Sequence, residues 1–181
     1  MLGVFVGYHA PMMLAPMPQL SGKVIYLPEG LNGVRRTLVY MRELVKQGRV
    51  DPLIRQAATQ AIFLTPEKDE YSEANAIFDM VRDSIRYVKD VNQVETLSTP
   101  QITLAGRLGD CDDQTVLLAA LLESVGYPTR FVVAGYSDPN AYDHVYLQAC
   151  VNNQWIDMDA TEKQVMGWSP PNPVALAYET V

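Results

Sequence analysis

The chain is poor in the residues that build metal centres and disulfide frameworks. Among 181 residues there are two cysteines, Cys111 and Cys150, and two histidines, His9 and His144. Two thiols in a chain of this length do not make a cross-linked scaffold, so a reducing compartment is expected. No Cys or His residues stand paired at short ligand spacing, which argues against a zinc site; no metal or other cofactor is expected. Cations are scarce too, with 14 Lys and Arg against 21 Asp and Glu and a net charge of −7. Nucleic-acid phosphates are held by clustered cations, and the only adjacent basic pair, Arg35-Arg36, reads as a solvated helix face, so no nucleic-acid partner is expected. A Gly-rich phosphate loop is missing. There is no internal repeat or low-complexity block, and the length suits one well-buried domain.

A long apolar run is also lacking. The Met- and Pro-rich stretch Met1 to Leu20 has no basic leader, and Tyr8, His9 and Pro11 interrupt its apolar core. Neither a signal peptide nor a membrane partner is expected. Residues 1–33 read as an apolar arm kept extended by Pro11, Pro16, Pro18 and Pro28. Residues 166–181, with Trp168, Pro170, Pro171 and Pro173, read as a similar tail. Such ends either wrap their own domain or dock onto neighbouring subunits of an assembly. The lone His9 receives no chemical role.

Between the arms, Gly33–Gln47, Pro52–Phe63 and Ser72–Val88 carry helical periodicity. In the first, Leu38, Met41 and Val45 mark the buried side, and Arg36, Tyr40 and Leu44 the other. Pro52 suits a first helical turn and Pro66 follows a helix end. In the third, Ala74, Ile77, Phe78, Val81 and Ile85 form an apolar stripe of core positions.

The chemistry concentrates further on. Cys111 sits in Gly109-Asp110-Cys111-Asp112-Asp113, directly before an apolar, Gly- and Pro-free stretch from Thr115 to Val125 that reads as a buried helix. A thiol at a helix N-terminus meets backbone N–H groups and the positive end of the helix dipole, which favour a thiolate. The run Val94 to Pro100, without helical period, reads as a loop walling a cleft opposite Cys111.

Residues from Asp143 to Val151 alternate as a strand, with Val145, Leu147, Ala149 and Val151 on one face and His144, Tyr146, Gln148 and Cys150 on the other. Asn152-Asn153 supplies a two-residue turn, because Asn tolerates positive φ. If Val151 pairs with Gln154, Tyr146 lies opposite Asp159. Asp159 is then the diagonal neighbour of His144, at about 7–8 Å between backbones, a gap two side chains can close. Asp157 falls opposite Gln148, about 13 Å from His144 by strand rise, which selects Asp159. Cys111, His144 and Asp159 are thus candidate members of a nucleophilic triad. Cys150 is about 20 Å along the strand from His144 and reads as a small packing residue near Trp155.

These three segments resemble the transglutaminase-like domain of the papain-like cysteine-enzyme superfamily: Gly109-Asp110-Cys111-Asp112-Asp113, His144-Val145-Tyr146, and Trp155 through Thr161. Ala160 stands where the family usually has proline, and Val145-Tyr146 where Ala-Trp is common. The resemblance extends back to about Tyr71 and covers roughly residues 71–162. It implies an α+β fold, with a helical N-terminal part and a central Cys-bearing helix on a small antiparallel sheet, in a domain spanning 34–165. It implies a Cys111 thiolate that attacks a carbonyl carbon, His144 as proton carrier and Asp159 as orienting group. The Cys111 N–H would hold the oxyanion, with Gln101 and Asn92 as candidate second donors. Asp112 and Asp113 oppose thiolate formation only if they face the sulfur, and they are expected to turn outward.

Two classes of function follow. One is a cysteine hydrolase or transamidase acting on peptide or isopeptide amides, with a peptide or protein substrate. The other is a structural component: the chain is also similar to short transglutaminase-like proteins of tailed phages, which would place it in a virion rather than free in the cytoplasm and give its arms assembly partners.

Overall fold

The computed structural model describes residues 31–89, 96–138 and 141–181. The arm up to residue 30 and Asn92 lie outside these. The fold is built around one helix, α5 (Cys111–Ser124), whose residues Val116 to Leu122 are all fully buried. A helix apolar on every side must be covered on every side. Four helices and a sheet provide that cover: α1 (Leu31–Gly48), α2 (Pro52–Ile62), α3 (Glu70–Ser84) and α4 (Pro100–Gly106) pack around α5, and the sheet closes the remaining face. Burying each of the leucines 117, 118, 121 and 122 contributes about 1.5–3 kcal/mol.

The stripes expected from periodicity face this core. Leu38, Met41 and Val45 of α1 are buried, as are Ala74, Ile77, Phe78 and Val81 of α3. Asp51 caps α2 by accepting from the N–H groups of Leu53 and Ile54, with Pro52 in the first turn. The third helix stops at Ser84, short of the expected Val88. Ile85 is already extended, and Arg86–Tyr87 form β1, which pairs in parallel with β2 (Leu108–Gly109). Of the stretch expected to be a loop, residues 96–99 are neither helix nor strand, and Pro100 opens α4, seven residues long and too short for periodicity to register.

The main sheet is antiparallel, in the order β5 (Gln154–Met158), β4 (His144–Val151), β3 (Thr129–Gly135), β6 (Ala175–Thr180). Phe131, Val133, Val145, Leu147, Ala149, Val151 and Met158 join the α5 core. The opposite face carries a small cluster of Val132, Ala134 and Tyr146 with Tyr136. Strand β6 lies within the segment read as an extended tail, pairs with β3, and is tied to α1 by an Arg42–Glu179 ion pair. Together these elements make an α+β fold with the cysteine-bearing helix against the sheet.

Both turn residues adopt positive φ, 51° at Asn152 and 62° at Asn153, and the β4–β5 ladder pairs Val151 with Gln154 and Gln148 with Asp157. This is the register the two asparagines predict. At the other end of β4 the chain makes a close approach: a Cβ on Gly135 would lie 2.0 Å from the Ala141 carbonyl oxygen. That carbonyl belongs to the backbone leading into His144 and cannot swing aside as a side chain could. Gly135→Ala should therefore lower the unfolding free energy by about 1–3 kcal/mol, the range for overpacking. A thermal melt unchanged from wild type would show that the 141–143 segment yields freely.

Candidate active site

The N-terminus of α5 is capped from within the motif. The Asp110 side chain accepts from the N–H groups of Asp112 at 3.1 Å and Asp113 at 3.2 Å, and the Gln114 N–H reaches the Asp110 carbonyl at 3.1 Å. Cys111 opens the helix with its own N–H outside these bonds. The Val145 backbone N–H lies near its sulfur, where it favours the charged form. The Val145 carbonyl in turn accepts from Thr115 Oγ1 at 3.3 Å. One strand residue, the one after His144, thus fastens the first turn of the helix to the start of β4.

His144 Nε2 lies 2.8 Å from Asp159 Oδ2, and the Asp159 side chain is fully buried. The other oxygen, Oδ1, accepts from Thr161 N at 3.0 Å and Thr161 Oγ1 at 2.6 Å, which fixes the carboxylate plane. With Nε2 engaged, Nδ1 is the ring nitrogen left for proton exchange. The imidazole also stacks near Tyr146, with ring centroids 6.0 Å apart. Asp157 is held elsewhere: it accepts from Gln148 Nε2 at 2.7 Å, and Gln148 Oε1 accepts from Arg130 Nε at 2.7 Å. The Arg130 guanidinium is itself clasped between Trp155 and Tyr178, at 4.3 and 4.5 Å from their ring centroids. The two carboxylates of the Asp-Met-Asp segment share a face of the strand and do different work because they stand at different positions along it, Asp157 opposite Gln148 and Asp159 beyond the end of the ladder.

The thiolate expectation is corrected by the geometry. Burial pushes the Cys111 thiol up from its ordinary range, Asp112 and Asp110 push it further, and the Val145 N–H alone among the main influences pulls it down. The expectation that both acidic neighbours turn outward holds for one of them. Asp113 accepts from the Ser98 N–H at 2.7 Å and Ser98 Oγ at 3.3 Å, anchoring the residues before α4. Asp112 does not turn away: the Cys111 Sγ–H donates to its Oδ1 at 3.6 Å. The thiolate is disfavoured because the sulfur is out of water and two carboxylates ride on the same turn.

Of the residues considered as second oxyanion donors, Asn92 falls outside the described residues. Gln101 stands in the first turn of α4 and, among the described residues, makes no hydrogen bond to Cys111, His144 or Asp159. Tyr87, Thr161 and Ser98 were not singled out by sequence reasoning. Thr161 could have been, since a hydroxyl two residues after an Asp is an Asx-turn signal. Among the described residues no group of three or more His, Cys, Asp or Glu side chains is arranged to hold a metal, and no helix is long and apolar enough to cross a membrane.

Asp112→Asn should shift the pH profile of Cys111 alkylation by iodoacetamide to lower pH, because the substitution removes a negative charge that disfavours the thiolate. One pKa unit corresponds to about a tenfold faster reaction at a pH below both titrations. Asp113→Asn, whose carboxylate is turned to Ser98, should leave the profile in place. Coincident profiles for wild type and Asp112→Asn would remove Asp112 from control of the thiol.

Comparison with known proteins agrees with the geometry. The profile of the transglutaminase-like superfamily matches residues 57–160. No curated protein sequence matches the chain. Among solved structures, a candidate cysteine protease from Cytophaga hutchinsonii is 22% identical with a TM-score of 0.49, the match covering 68% of this chain and 41% of that one. A candidate protease from Parabacteroides distasonis is 14% identical with a TM-score of 0.58, covering 80% and 32%. LapG of Legionella pneumophila is 17% identical with a TM-score of 0.51, covering 78% and 85%. The chain thus spans less than half the length of the first two. The latter two structures share its fold. With the profile matching more than half of its length over the segment that holds the cysteine, the histidine and the buried aspartate, the chain belongs to the transglutaminase-like superfamily.

Proposed function

We propose that the protein is a cysteine hydrolase or acyltransferase acting on peptide or isopeptide amide bonds through Cys111, His144 and Asp159. The observation that carries this reading is the 2.8 Å bond between His144 Nε2 and a fully buried Asp159, on the strand whose next residue contacts the Cys111 sulfur. A carboxylate taken out of water and held by three hydrogen bonds stabilises an imidazolium and fixes which nitrogen faces the reaction.

In the reaction, the thiol turns from Asp112 to His144 and passes its proton to Nδ1. The sulfur attacks the carbonyl carbon and the C=O π electrons move to oxygen, where the Cys111 N–H stabilises the charge. When the oxyanion collapses, the C–N bond breaks and His144 returns the proton to the leaving amine, leaving a thioester. Water, or an amine in a transamidation, then attacks the thioester with His144 as base. The C–S bond breaks and the thiol regains its proton. Burial and Asp112 hold the resting thiol protonated, so the proton transfer belongs to the substrate-bound state, in which His144 acts as a base from the outset.

A second reading, an assembly component of a virion that keeps this fold, rests on the sequence alone, on the apolar, proline-rich composition of residues 1–30. The two readings differ on one substitution pair. Asp159→Asn should lower turnover of a peptide amide, or amine incorporation into a glutamine peptide, by up to about 10⁴, while Asp157→Asn should stay within a few-fold of wild type. Loss of activity in Asp157→Asn instead would reassign the orienting carboxylate. A Cys111→Ala protein as active as wild type would end the enzymatic reading and leave the assembly role.

A further inference from the structure

We propose that the Tyr87 hydroxyl is the second donor of the oxyanion hole, a role that rests on the acyl-transfer reading above. An oxyanion beside Cys111 forms in acidic surroundings, with Asp110, Asp112 and Asp159 all close to the sulfur or to the histidine. The Cys111 N–H alone is a thin counterweight, and the next two N–H groups of the turn are already spent on the Asp110 cap. A second donor must be a group that carries a proton at neutral pH and approaches the sulfur from outside the helix.

Tyr87 meets both conditions. The β1–β2 pairing sets Tyr87 opposite Gly109, two residues before the nucleophile, and the Val88 N–H bonds the Gly109 carbonyl at 3.1 Å. The phenol extends to where it feels Cys111, Asp110 and Asp112 from the helix and Asp159 from the hairpin, elements remote in sequence. Partial burial and these acidic neighbours raise the phenol above its ordinary range, so it remains a neutral donor at neutral pH. Its hydroxyl makes no hydrogen bond to a described residue, whereas the buried amide Gln114 Nε2 is committed to the Gly109 carbonyl at 3.2 Å. At 46% exposure Tyr87 is open to an arriving carbonyl group.

The test compares two reactions of the same sulfur. Acylation by p-nitrophenyl acetate passes through a tetrahedral oxyanion; alkylation by iodoacetamide, a displacement at saturated carbon, does not. Tyr87→Phe keeps the ring and removes the donor. Its Cys111-dependent burst of p-nitrophenol should slow by about 10²-fold, the loss typical of one oxyanion-hole donor, with iodoacetamide alkylation within about twofold of wild type. An acylation rate equal to wild type would overturn the assignment while leaving the triad standing. Parallel loss of both reactions would also overturn it, making Tyr87 a residue that positions the thiol. A wild-type protein with no burst that Cys111→Ala abolishes would instead defeat the acyl-transfer reading itself, and this role with it.

Discussion

The site depends on the register of one hairpin. Two asparagines in left-handed backbone conformation close the β4–β5 turn in two residues, and this sets which face every residue of β5 presents. Asp159 lies just beyond the ladder on the histidine's side, and Asp157 lies opposite Gln148. A slip of one residue would send Asp159 to the face packed on α5 and leave His144 without its carboxylate. The aromatic clasp around Arg130, and the Arg130–Gln148–Asp157 chain of hydrogen bonds, tie all four strands together across the sheet. They fix Asp157 on Gln148, four residues along the strand from the histidine.

The placement of the nucleophile follows a different constraint. An all-apolar helix has no solvent face, so α5 sits at the centre and everything else is arranged about it. Its first turn reaches the edge of the core where β4 begins. The Thr115–Val145 hydrogen bond and the contact of the sulfur with the Val145 N–H hold that meeting in place. Removing the sulfur from water disfavours the thiolate, and two acidic residues of the capping motif, Asp112 and Asp110, add to that tendency. The cap stabilises the helix and suppresses the charge of its first residue.

Much of this was legible in the residue order. The β4–β5 register followed from turn chemistry and alternation, because a two-residue asparagine turn admits few geometries. The α5 burial followed from an apolar run with no polar face, and the core stripes of α1 and α3 from their period. Three features were not legible. The two-residue strands β1 and β2 are too short to carry a pattern and exist only because their backbones meet, so Tyr87 read as the tail of a helix. The direction of the Asp112 side chain is a rotamer choice made by tertiary packing, with Ser98 drawing off Asp113 and leaving Asp112 by the sulfur. Strand β6 was hidden by the prolines before it, which mark an extended chain and do not say what it pairs with.

The β1–β2 contact is held by a pair of backbone hydrogen bonds at its ends, from Arg86 to Arg107 and from Val88 to Gly109. Helix α5 is enclosed by the whole core. These two parts open at different free energies: amides in the centre of α5 exchange with solvent through global unfolding, whereas those of the small ladder exchange through local opening. Tyr87 and Cys111, adjacent in space, therefore belong to separate cooperative units, and the mouth of the site can breathe while the helix bearing the sulfur stays still.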